Sequence, residues 1–276
     1  MTAMTDYSTS THKQTLGLVL AAELRRSLAA GGLRVAVLVS VGLGILAGGL
    51  TVWALAATHD ATSGPNTGLN TAPFQVSVFF AALAFAVGLI GFTSREMSDG
   101  TATGSAILVP RRARLLVARL LSAVILGAAM TLASLIVVTL IRLFGGDLSS
   151  AGFGHMGSVI AVAVVDVVLA SALAFLVATL LRKPAIAVTV FLLALIVLPL
   201  VLAILSVAGP AWLKNPAHAM LVAMPGTLFQ RAMSVPTVPG AGWSNVVIGL
   251  AGLAAWVVAV APFTWFLFDK ALAGKE

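Results

Sequence analysis

Six unbroken apolar runs leave this chain few folds to choose from. They cover roughly residues 34–57, 74–93, 115–141, 157–181, 185–208 and 245–268. At about 20 residues each, they are long enough to cross a hydrocarbon core about 30 Å thick. A bilayer offers no hydrogen bonds to the backbone, so spanning segments are helices or the strands of a closed barrel, and barrel strands are short and alternating. The expected fold is all-α and integral to a membrane, with six transmembrane helices. Composition agrees, since 60% of the 276 residues are hydrophobic and 9% are charged, far from a soluble domain. The absence of cysteine excludes disulfides, thiolate zinc sites and cysteine catalysis.

A net charge of +7 would point a soluble protein toward nucleic acid, but here the basic residues report topology and no nucleic-acid partner is expected. Counted on alternate sides of the six runs, thirteen of the sixteen Lys and Arg residues fall on one side. Arg142, Lys214 and Arg231 fall on the other. The positive-inside rule then places both termini in the cytoplasm. More than thirty residues precede the first run, which exceeds the apolar core of a signal peptide and is expected to stay attached. Residues 1–13 read as a disordered tail and 14–276 as a single six-helix domain. Residues 15–30, "TLGLVLAAELRRSLAA", carry apolar residues at helical spacing around Glu23, Arg25 and Arg26. They suit a helix in the headgroup layer or a simple extension of the first span. On the far side, short loops are expected at 58–73 and 142–156, and a large segment at 209–244. There Asn215-Pro216 and Pro225-Gly226-Thr227 each resemble a helix start, as in two short helices dipping part-way into the outer leaflet.

Candidates for chemistry are few. His12, His59, His155 and His218 all lie outside the expected spans, no metal site is suggested, and HExxH, GxSxG and GxxxxGK[ST] are absent. The chain is therefore not expected to be an enzyme by itself or to hold a cofactor. Asp166 stands inside the fourth run, near its middle. It serves either as an ion or substrate contact or as a helix-joining hydrogen-bonding group. Gly44 and Gly48, and Ala170, Ala174 and Ala178, recur at four-residue spacing and favour close helix packing. Pro199 should kink the fifth span, as a hinge or a static bend.

The most polar connection is 94–114, within "TSREMSDGTATGSAILVPRRARLLVAR". Glu96, then Gly100-Thr101, then Ile107-Leu108 closed by Pro110 and Arg112, resembles the cytoplasmic loop of ABC-2 type permeases, the membrane subunits of ABC exporters. The "ELRR" at 23–26, the six-span plan and the excursion before the last span extend the resemblance over nearly the whole chain. It implies a type V exporter-like fold in a bacterial plasma membrane, with a coupling helix at about 95–108, bearing Glu96 and Asp99, that rests on a separate P-loop ATPase. It further implies two ATPase copies, ATP and Mg held by them, a second copy of this permease or a related one, and contact with membrane lipids. The cargo would be hydrophobic or amphiphilic, such as a drug, a lipid-like molecule or a peptide. Two other classes stay open: an ion-coupled secondary transporter using Asp166, and a non-transporting immunity or scaffold protein.

Overall fold

A computed structural model of the chain describes residues 15–58, 71–99, 112–144, 150–236 and 242–273, without the side chains of 58, 112, 150–154, 211 and 268–273. The expected tail at 1–13 and most of the 58–73 loop lie outside these residues. Among the described residues all regular structure is helical, and six helices are long and apolar enough to span a membrane. The chain is a multi-pass membrane protein.

Helix α1 (Leu16–Ala29) ends at Ala30, whose extended backbone separates it from α2 (Gly31–Thr58). It is therefore a distinct helix and not an extension of the first span. Arg34 caps the break by donating to the carbonyls of Leu28 and Ala29 at the C-terminus of α1, where cations are favoured. Next come α3 (Ala72–Ser98), α4 (Arg112–Phe144) and α5 (Ser150–Leu181). Helix α3 runs beyond residue 93, so Glu96 sits on its last turn. Most of the loop expected at 142–156 is also helix.

Helix α5 is hydrophobic all round and occupies the centre, packed by α3, α4 and the last span. Small residues let neighbours close in. A Cβ at Gly44 or Gly48 of α2 would lie within about 3 Å of Ala81 and Ser77 of α3, the close approach expected of small residues at four-residue spacing. A two-residue turn links α5 to the fifth span. Arg182 adopts a positive φ of 55° there, and its guanidinium donates to the Leu267 carbonyl at 2.6 Å.

The fifth span comprises α6 (Pro184–Leu192), a π-helical turn at Leu193–Val197 and α7 (Leu198–Ala208). Pro199 has no N–H to give to the carbonyl four residues earlier, that of Leu195. The π turn lies across that position, and such turns commonly relieve a disrupted ladder.

Helices α8 (Ala211–Ala223) and α9 (Pro225–Ala232) form a hairpin before the last span, α10 (Ser244–Ala273). The expected second start at Pro225 is where α9 begins. The expected first start is displaced: α8 begins at Ala211, with Leu213 and Lys214 donating to the Pro210 carbonyl, and Pro216 lies inside the helix. Pro210 sets the first turn, and Pro216 merely leaves the Trp212 carbonyl without its usual donor.

The hairpin reaches far down the bundle. Trp256 donates its indole N–H to the Ala223 carbonyl at 2.8 Å, and Trp256 lies about 18 Å along α10 from Ser244 at 1.5 Å per residue. At the same depth Gly226 presses on the Leu195 carbonyl, only 1.9 Å from where its Cβ would be. The ends of α1 and α3, the start of α4 and the Arg182-Lys183 turn share what we call the basic end. The hairpin opens at the opposite end.

Candidate functional site

Helix α1 places Glu23 and Arg26 on one face by their three-residue spacing. That face is held on α4 by Val19 against Leu115 and Ala118. Glu96 approaches from the last turn of α3, and Arg119 from the second turn of α4. The four side chains close a ring of alternating charge.

Arg26 makes the short contacts. Its Nη1 and Nη2 meet Glu96 Oε1 and Oε2 at 2.6 and 3.0 Å, and its Nε donates to Glu23 Oε2 at 2.9 Å. One guanidinium thus bridges two carboxylates, using its planar set of donors on both. Arg119 completes the ring at longer range, with Nε 3.6 Å from Glu23 Oε1 and Nη1 3.8 Å from Glu96 Oε2. These distances exceed hydrogen bonds, and among the described residues the Arg119 nitrogens make none. Arg119 is 3% exposed and Glu23 6%, so the inner pair is removed from water while Arg26 stays about one-third exposed. A cavity of about 20 Å³ lies among them, roughly the space of one water molecule.

Chemically the ring offers neither nucleophile nor metal site. It ties three helices together with a net charge near zero. Such ties are costly to break from one side, because the orphaned partner stays buried.

The residues singled out in the sequence are scattered by the fold. Glu96 is turned into the ring. Asp99 is exposed at the C-cap of α3, with the Ser98 hydroxyl donating to its Oδ1 at 3.2 Å. Gly100, Thr101, Ile107, Leu108 and Pro110 lie outside the described residues, as does most of the expected coupling helix at 95–108. Arg112 opens α4. Asp166 is fully buried in α5, and neither carboxylate oxygen has a hydrogen-bond partner among the described residues. Pro199 follows the π turn. Arg142 is buried at the other end of α4, its guanidinium 5.2 Å from the centre of the Phe74 ring.

Glu23 and Arg26 were visible in an amphipathic helix and in the "ELRR" of the permease resemblance, and Arg119 only in a topology count; none was expected to meet Glu96. A signal did exist for Arg119. It sits in "LLVARLLSAV", where a guanidinium surrounded by apolar residues demands a carboxylate. No protein-family model matches the chain, and a search of curated proteins finds no match.

Proposed function

We propose that the chain is the membrane subunit of an ATP-driven exporter, acting as a pair and coupled at its basic end to separate P-loop ATPase subunits. The observation that carries this is the charged ring. It binds α1, the last turn of α3 and the start of α4 into one body, and Asp99, at the head of the polar loop, leaves from that body. A push on the loop would then be delivered to two spans at once as a tilt, the kind of rigid-body motion that packed helices transmit. The thirteen-to-three distribution of basic residues supports a cytoplasmic location for this end, where ATP is. The apolar character of the spans suits a hydrophobic or amphiphilic cargo.

The test is biochemical. Purified alone, the chain should hydrolyse no ATP, whereas co-expression with candidate P-loop ATPase subunits from the same genome should yield, for one of them, a complex whose hydrolysis depends on both chains. Failure of any such ATPase to bind, in detergent and in nanodiscs, would overturn the proposal.

The burial of Asp166 without a hydrogen-bond partner among the described residues favours a second reading, an ion-coupled carrier. Proteoliposomes separate the two. The exporter moves cargo with ATP and no ion gradient, and Asp166→Asn leaves assembly with the ATPase intact. Gradient-driven transport without ATP, lost in Asp166→Asn, would establish the carrier instead.

A further inference from the structure

At the opposite end of the bundle a second cavity, of about 390 Å³, opens between α8, α9 and α10. Its polar lining includes His218, Gln230, Arg231 and Asn245, above a wall of Leu221 and Val222. No carboxylate is among the residues that line it. Arg231 makes no ion pair and no side-chain hydrogen bond among the described residues. Its neighbourhood is more basic still, because Lys214 stands one turn before His218 on α8.

This placement runs against the charge pattern of the chain. Three of sixteen basic residues occupy this side, and two of them, Lys214 and Arg231, lie on the hairpin. Arg142, the third, is buried beneath Phe74. A half-buried arginine without a carboxylate is a standing donor set for an outside anion, and a guanidinium fits phosphate oxygens two at a time. Asn245 is in the first turn of α10, where the chain enters its apolar run, so the polar mouth lies at headgroup level. Leu221 and Val222 lie deeper on α8. The cavity is therefore ordered as an amphiphile is, with the anion site outermost and the apolar wall below.

We propose that this cavity binds the phosphate ester headgroup of an anionic membrane lipid, with Arg231 as the principal contact and His218 and Asn245 as further donors. The site stands independently of any ATPase, so it is tested on the chain alone. Delipidated protein in uncharged detergent is titrated with dioctanoyl phosphatidylglycerol, dioctanoyl phosphatidylcholine or glycerol phosphate, and bound ligand is read by native mass spectrometry. Phosphatidylglycerol should bind most tightly, and Arg231→Gln should weaken it about tenfold or more, as loss of a charge-assisted contact does. His218→Leu and Asn245→Leu, both at exposed positions, should weaken it several-fold and keep the test decisive if Arg231→Gln does not fold. Lys214→Gln, outside the lining, should leave the affinity nearly unchanged. Equal binding of the two lipids, or wild-type affinity in the Arg231 and His218 variants, would overturn the site. Glycerol phosphate binding as tightly as the lipid would overturn its assignment to a lipid, and an equal loss in Lys214→Gln would reduce it to diffuse surface charge.

Discussion

At the basic end, four charged side chains from α1, α3 and α4 meet in a closed ring, whereas the α8–α9 hairpin, between mid-bundle and the opposite end, is seated largely on bare backbone. Gly226 lies against the Leu195 carbonyl. Gly249 of α10 lies against Ala232 and Leu228 of α9, with a Cβ position 2.4 Å from the Ala232 nitrogen. The two joints respond to different perturbations. The ring answers to charge, because replacing one member alone leaves its partner buried and uncompensated. The glycine seat accepts no side chain and has no second arrangement to offer.

The comparison breaks most visibly if the ring proves dispensable. Arg119→Met leaves Glu23 and Glu96 to share Arg26, and should destabilise the protein by about 3–5 kcal/mol, as removal of one buried partner does. Chemical unfolding in mixed micelles measures this. The double variant Glu23→Gln/Arg119→Met removes one charge of each sign and should recover much of the loss, since a neutral replacement of a buried pair is often tolerated. Additive losses would mean that the two side chains act separately.

A smaller effect sharpens the other side. Gly226→Ala places a methyl group into the Leu195 carbonyl and should cost about 1–3 kcal/mol, the usual range for overpacking. Gly42→Ala is the control, because nothing lies within 4 Å of its Cβ position. It should stabilise α2 by up to about 1 kcal/mol through helix propensity. Equal effects at the two sites would remove the seat from the account.

Much of the framework was legible in the sequence because it depends on local runs. All six spans emerge from apolar length alone, and Pro225 marked the start of α9. The joints were hidden because each needs residues that only folding brings together. Glu23 and Glu96 come from different helices, and nothing in "EMSDGTATG" shows which way Glu96 turns. Likewise "MPGTLF" announces a helix start but not that Gly226 must sit on Leu195, and Pro199 announces a kink but not a π turn. Arg119 was the exception, a charge so placed that its need for a partner could have been read directly.

The central claim is that the basic end, where α3 runs out at Asp99, is the face that meets an ATPase. Since the chain has no cysteine, a thiol introduced by Asp99→Cys is unique, and bifunctional cross-linking in membranes that carry the co-expressed ATPase tests the contact directly. The account predicts a covalent permease–ATPase adduct from Asp99→Cys and none from Arg231→Cys at the opposite end. An adduct from Arg231→Cys alone, or none from either in a complex that still co-purifies, would contradict it.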